Sequence, residues 1–261
     1  NMKNHISLFI FAIALLSGPV SANDLSMTAV KDTLASIPGE HNYIYVRTPL
    51  GEDEEKNYDE ITFYDGLGRE LDFAQSYGAD RAGAIMAHHH LIEYDSLGRK
   101  EKQWLSTNTS FSYMSPEDLK GGVLWDYHDA GKRSYLQTNY ESSPLNRITE
   151  QYGVGDAWGD HPARMEYLTN IPADSLRCSF YFIDDNDSLI RRGDYRSGEL
   201  QVTKATDEDG KPTYTFVDKQ GRTLLTRLGR GNQQADTYFV FDRFGRIRYV
   251  LPPMINDEIS A

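Results

Sequence analysis

His88-His89-His90 is the first stretch whose residue types could do chemistry. On a strand, His88 and His90 share one face and could supply half of a metal site. A third ligand would have to come from His128, His161 or an aspartate, and no two-histidine helical spacing accompanies the run. An edge-strand polar cluster is the preferred reading. Asp184-Asp185-Asn186-Asp187 and Asp207-Glu208-Asp209-Gly210 look like Ca²⁺ loops but lack the closing bidentate glutamate, and turn chemistry accounts for both. His161 beside Asp160, and Ser142-Ser143, make neither a triad pattern nor a nucleophile elbow. Gly66, Gly68 and Gly98 sit between strands rather than ahead of helices, so they imply no phosphate loop. Cys178 is the only cysteine, which excludes an internal disulfide. It lies in the strand-like run Cys178–Ile183 and reads as a small core residue. Trp104, Trp125 and Trp158 could stack sugars, although core packing is the default for large aromatics. No nucleophile, base or ligand set converges, so the expectation is a non-enzymatic chain with no catalytic residue, cofactor or metal.

The elements around these residues are more telling. The chain repeats one phrase, an aromatic or apolar residue followed by Asp-x-x-Gly-Arg. The copies are Tyr64-Asp65-Gly66-Leu67-Gly68-Arg69, Tyr94-Asp95-Ser96-Leu97-Gly98-Arg99, Val217-Asp218-Lys219-Gln220-Gly221-Arg222 and Phe241-Asp242-Arg243-Phe244-Gly245-Arg246. In each, the aspartate carboxylate can accept from the backbone N–H two residues on, and the glycine supplies the left-handed position that closes a hairpin. The flanks alternate as strands do. Ile61 and Phe63 interleave with Thr62 and Tyr64, Leu71 and Phe73 with Glu70 and Asp72, and Tyr238 and Val240 with Phe239 and Phe241. The last return strand stops at Pro252-Pro253. Weaker echoes are Asp129-Ala130-Gly131-Lys132-Arg133, the lengthened Tyr140–Arg147 with Asn146 in the glycine place, and Asp207–Lys211. The four arginines, Arg69, Arg99, Arg222 and Arg246, are expected to lie beside strand carboxylates as exposed pairs. Residues of about 60 to 252 therefore read as successive antiparallel hairpins. The fold class is all-β with minimal helix, part of a β-shell or open twisted sheet.

Composition sets the remaining bounds. A formal net charge of −12 excludes nucleic-acid binding by bulk electrostatics. Lys3, the apolar run Ile6–Leu16 and Val20-Ser21-Ala22 form a Sec-type signal peptide with cleavage expected after Ala22. The apolar run is too short for a comfortable membrane span, so no stable insertion of the mature chain is expected. The organisation expected is a signal peptide at 1–22, a leader strand and acidic loop at 23–59, and a hairpin-repeat domain at 60–261 that is truncated at its C-terminus. A short helix is expected at Leu25–Ile37. A single helical turn is expected at Ser115–Gly122, with Ser115 as N-cap and glycine as stop.

The phrase Tyr/Phe-Asp-x-x-Gly-Arg resembles the YD repeat of RHS proteins. An ordered series extends the resemblance over roughly residues 40 to 255: Asp65–Arg69, Ser143-Pro144-Leu145-Asn146-Arg147, His161–Tyr167, Asp209-Gly210-Lys211 with Asp218–Arg222, and Arg248-Tyr249-Val250-Leu251-Pro252-Pro253. That series is similar to the uncharacterised N-terminal domain of Bacteroidetes-type RHS-repeat proteins. The resemblance implies a structural section of a secreted β-cage that, in longer relatives, encloses a C-terminal toxin. The implied partners are the remaining repeats or core of a longer chain or a neighbouring polypeptide, with a toxin as possible cargo. The implied location is the periplasm, the cell surface or the medium. An extracellular surface or carbohydrate-binding β module is the alternative.

Overall fold

The computed structural model describes residues 27–35, 37–49, 57–79, 84–229 and 234–253. The signal-peptide segment and most of the acidic loop lie outside these residues. The described chain is all-β, built from antiparallel hairpins with two α-helices. It divides into two compact units, one running to Gln137 with Val154–Asp156, the other comprising Thr138–Gly153 and the residues from Ala157 on.

The first unit holds α1 (Met27–Ala35), β1 (Asn42–Pro49), β2 (Asn57–Tyr64), β3 (Glu70–Ala79), β4 (Ile85–Tyr94), β5 (Lys100–Trp104), β6 (Thr107–Ser110), α2 (Pro116–Asp126) and the first residues of β7 (Tyr135–Tyr140). The strands follow one another in the order β1-β2-β3-β4-β5-β7, with β6 pairing beside the start of β4. The leader strand is thus part of this sheet, in register with β2 from Asn42↔Tyr64 to Pro49↔Asn57. One face of the sheet buries Ile61, Phe63, Ala74, Ile85 and Ala87 against Val30 of α1 and Phe111.

Ser115 caps α2 as expected, its Oγ accepting from the Asp118 N–H at 3.1 Å. The helix does not stop at the glycines, however, but runs through them to Asp126. Gly122 is where it meets β6: a Cβ there would lie 2.6 Å from Thr107 Oγ1. The glycine is a contact residue, not a terminator. Asp129–Arg133 is not a hairpin turn either, as it leads from the end of α2 into β7.

The second unit takes the rest of β7, then β8 (Ile148–Tyr152), β9 (Ala163–Thr169), β10 (Ser179–Ile183), β11 (Leu189–Asp194), β12 (Gln201–Thr206), β13 (Pro212–Val217), β14 (Thr223–Leu228), β15 (Ala235–Phe241) and β16 (Ile247–Leu251). Its strand order is β7-β8-β9-β12-β13-β14-β15-β16, with β10 and β11 forming a separate two-stranded sheet. The core gathers Cys178, Tyr181, Leu200, Val202, Tyr214, Phe216, Leu225, Tyr238 and Val240. Burial pushes the Cys178 thiol up to about 12, which suits a packed side chain rather than a nucleophile. Asn170, wholly buried, ties the excursion between β9 and β12 together. Its side-chain amide donates to the carbonyls of Tyr195 and Arg196, and its Oδ1 accepts from the Leu200 N–H.

Candidate functional site

The repeated turns share one geometry. In the first, Asp65 N–H donates to the Arg69 carbonyl at 2.9 Å and Gly68 N–H to the Asp65 carbonyl at 3.0 Å. Asp65 Oδ1 accepts from the N–H groups of Leu67 and Arg69, and Oδ2 accepts from the Arg69 guanidinium at 2.7 Å. Asp95 with Gly98 and Arg99, Asp218 with Gly221 and Arg222, and Asp242 with Gly245 and Arg246 reproduce this arrangement. The closing glycines Gly68, Gly98, Gly221 and Gly245 have φ of 76, 81, 80 and 77°. Replacing Gly245 by valine should destabilise the second unit by about 1–3 kcal/mol, because a β-branched residue is forced left-handed there. An unchanged melting temperature for the variant would refute the assignment.

The arginines therefore do not reach out to strand carboxylates. Each folds back onto the aspartate that opens its own turn, four residues earlier. The carboxylate sits where both the turn N–H groups and the guanidinium converge. At Asp65, Asp95 and Asp218 desolvation pushes the carboxyl up, but the arginine N–H, its guanidinium and a second N–H together hold it below the usual carboxylate range. At Asp242 the Arg246 N–H is the largest influence, in the same downward direction. A depressed folded value means that the contribution is present above the unfolded carboxylate range and is lost as pH falls through the folded one. The melting temperature should thus fall as pH drops below about 4. Asp65→Asn should lower it at neutral pH and flatten its acid limb, and an unaltered pH profile would refute this.

The lengthened turn keeps the logic with different atoms. Glu141 N–H donates to the Arg147 carbonyl, Asn146 takes φ 54°, and Ser143 Oγ accepts from Leu145 N–H in place of an aspartate. Arg147 grips Glu141 in a two-pronged pair at 2.8 and 2.7 Å. That hydrogen bond, then the one from Ser143, holds the Glu141 carboxyl down to about 2. The Asp184–Ser188 and Asp207–Lys211 segments are turns as well. Asp184 Oδ1 accepts from Asn186 and Ser188, and Asp207 Oδ1 from Lys211.

Strand alternation places these turns. In the first unit the Asp65 and Asp95 turns close β2–β3 and β4–β5, so both lie at one end of the sheet. In the second unit the Glu141, Asp218 and Asp242 turns share one end, and the Asp207 turn lies at the other. At these shared ends the arginine of three of the turns covers a ring at or near the end of the next strand. Arg69 lies 4.5 Å from the centroid of Tyr94, Arg147 4.5 Å from Tyr167, and Arg222 5.1 Å from Phe241. Gly98 is packed into this contact, since a Cβ there would stand 3.2 Å from the Arg69 guanidinium. Three of these turns, those of Arg69, Arg147 and Arg222, are therefore read twice, once as a turn and once as a cation–π rung between hairpins. A double-mutant cycle on Arg69→Ala and Tyr94→Leu should give a coupling of about 0.5–1 kcal/mol. Strict additivity would remove the rung.

The other candidates are dispersed. β4 is paired on both sides, so the histidine run is not on an edge. His89 points inward and is buried, its Nδ1 2.6 Å from Asp72 Oδ2 and its Nε2 2.9 Å from the Ser110 carbonyl. His88 stacks on Tyr77 on the opposite face, and burial holds the His90 imidazole below its usual range. His161 and Asp160 are exposed. Trp104 donates to Glu93, Trp158 packs over Gly153, and Trp125 stands exposed on α2. Sequence reasoning missed the buried Arg227, which donates twice to Asp236 and twice to the carbonyls of Ser175 and Arg177. It also missed Asp59, held by Tyr45 and Arg47. Strand period was the available signal for both, since Arg227 falls in step with Leu225 and Asp59 with Ile61 and Phe63.

Residues 42–169 match the profile of a domain of unknown function (DUF6443). No curated protein matches the chain. Among solved structures, a chain in the crystal structure of TcdB2-TccC3 is similar, with 13% identity and a TM-score of 0.49. The similarity covers 95% of this chain but spans only 12% of that one.

Proposed function

We propose that the chain is a non-enzymatic structural module of an exported RHS-type protein, a section of β-wall assembled from stacked hairpins. One observation carries the reading. The repeated Asp-x-x-Gly-Arg residues spend their polar groups on holding turns and joining neighbouring hairpins, as in Asp65–Arg69–Tyr94 and Asp218–Arg222–Phe241. Carboxylates and guanidinium groups engaged in this way serve architecture and are not available to a substrate. The profile match over residues 42–169 supports the kinship of the first half with an uncharacterised domain. In this reading the partners are further hairpins of the same kind, in the same polypeptide or a neighbouring one, and a toxin is the cargo of the completed wall. Export follows the N-terminal signal.

The reading is tested at the gene and on the protein. The reading frame, or the one beside it, should encode further aromatic-Asp-x-x-Gly-Arg hairpins. A locus without them, together with saturable glycan-array binding lost on Trp125→Ala, would replace the structural reading with that of a surface carbohydrate-binding module.

A further inference from the structure

The three cation–π rungs obey one register. Each arginine stands just ahead of the strand that leaves its turn, Arg69 ahead of β3, Arg147 ahead of β8 and Arg222 ahead of β14. The ring it meets lies on the strand paired antiparallel to that one: Tyr94 at the end of β4, Tyr167 near the end of β9 and Phe241 at the end of β15. Antiparallel pairing accounts for this, because the start of one strand stands beside the end of its neighbour. In Tyr94-Asp95 and Phe241-Asp242 the ring is also the residue that opens the next phrase.

Arg246 stands in the same place, just ahead of β16, but meets no ring beyond its own turn among the described residues. Its guanidinium holds Asp242, and the ring beside it is Phe244 at 5.1 Å. The Arg246 side chain is 67% exposed, against 32, 15, 41 and 34% for Arg69, Arg99, Arg147 and Arg222. β16 itself pairs with β15 and with no other strand among the described residues. The Asp184–Ser188 turn engages it through β16 side chains alone, Arg248 donating to the Asp187 carboxylate and the Tyr249 hydroxyl to the Asp187 carbonyl. The outer backbone N–H and C=O groups of β16 thus have no partner among the described residues. Ile247 and Val250 on the same strand are 55 and 50% exposed.

We propose that the outer edge of β16 is a docking site for a strand that ends in tyrosine or phenylalanine, the strand that opens another aromatic-Asp-x-x-Gly-Arg hairpin. The incoming strand runs antiparallel to β16, so that its last residue comes to lie beside Arg246 and completes a further rung. Main-chain hydrogen bonds to β16 supply the affinity, and the ring over the guanidinium fixes direction and register. A second copy of this chain does not offer such a strand. Its phrase aromatics Tyr64, Tyr94 and Phe241 end strands that are paired on both sides. Its strands paired on one side only, apart from β16, are β1, β6, β10 and β11, and they end on Pro49, Ser110, Ile183 and Asp194. The proposal rests on the structural reading above and gives the partner hairpin a strand to join, a direction and a residue that selects it.

The test uses the full chain and a fluorescein-labelled peptide that copies residues 85–104, the β4–β5 hairpin with Tyr94 at the end of its first strand. Added terminal cysteines close it through a disulfide so that the hairpin holds. Fluorescence anisotropy should show saturable binding, and hydrogen exchange should slow at the β16 amides but not at those of β1. Tyr94→Leu in the peptide should weaken binding about threefold, Arg246→Ala in the protein about as much, and the two together no further. The peptide change leaves the protein untouched, so the test survives an Arg246 variant that folds poorly. The proposal fails if the peptide does not saturate or if exchange slows elsewhere than β16. It fails equally if Tyr94→Leu binds as well as its parent or if the two losses add, because the ring then selects nothing. A dimer in light scattering that the peptide dissociates also overturns it, since the occupant is then a second copy of this chain. The structural reading is judged apart, by the hairpins at the locus and by the glycan array.

Discussion

Arg227→Ala is expected to destabilise the second unit by about 3–5 kcal/mol, seen as an earlier urea midpoint. The guanidinium is 4% exposed in the structure. It holds Asp236 from two nitrogens, at 2.7 and 2.6 Å, and donates to the carbonyls of Ser175 and Arg177 at 2.9 Å each. One side chain thereby fastens the β14–β15 pair to the segment that leads into β10. Removing it takes both charged donors from Asp236, to which the Tyr238 hydroxyl also donates at 3.5 Å, and one donor from each of two carbonyls, and the cost of those weakened groups exceeds that of the lost packing. The comparison that isolates this cause is Arg227→Met with Asp236→Leu. Removing both charges together should restore much of the loss. If the double variant is as unstable as Arg227→Ala, packing rather than the unpaired charge carries the effect.

The turns were legible in the sequence because their causes are local. Aspartate two and four residues ahead of the N–H groups it accepts, and glycine at the left-handed position, specify a hairpin without reference to the rest of the chain. Even the lengthened Glu141–Arg147 turn was recognisable, since asparagine tolerates the same backbone region as the glycine it replaces. The domain profile begins at residue 42, close to where the resemblance begins, and ends at 169, short of the last two full phrases at Asp218 and Asp242. The partners of the arginines were not legible. A guanidinium reaches the nearest suitable carboxylate and the nearest ring, and the ring belongs to a later strand, 25 residues further on in the case of Arg69 and Tyr94. Which face of β3 turns inward was also hidden. Leu71 and Phe73 alternate with Asp72, and hydropathy alone favours burying the former. The register shift beside the turn instead sets Asp72 opposite Phe63 and Ala74 opposite Ile61, so the inward face is Asp72, Ala74 and Ser76. The α2 glycines misled for a related reason. Gly122 answers to Thr107 across the fold, which no window around residue 122 contains.

That inverted face sets up the second large effect. Asp72 is 2% exposed and His89 1% exposed, on neighbouring strands of the first unit. The imidazole joins three elements, reaching Asp72 on β3 and the Ser110 carbonyl on β6 from its own place on β4. Asp72 Oδ1 already lacks a hydrogen-bond partner among the described residues. His89→Leu should therefore cost about 3–5 kcal/mol, because it takes from the buried Asp72 carboxyl its imidazole partner, while the Ser110 carbonyl loses one of its two donors and keeps the Ser112 N–H. Urea unfolding of the first unit measures the loss. Hydrogen exchange should show it spreading to the β6 amides, since His89 is one of the ties that hold that short strand beside β4. Combining His89→Leu with Asp72→Ala should recover part of the stability, as the stranded carboxyl is then gone. A single variant that unfolds at the same urea concentration as the parent would mean that the buried pair contributes no more than an apolar pair of the same shape. The histidine run would then be incidental to the fold of the first unit.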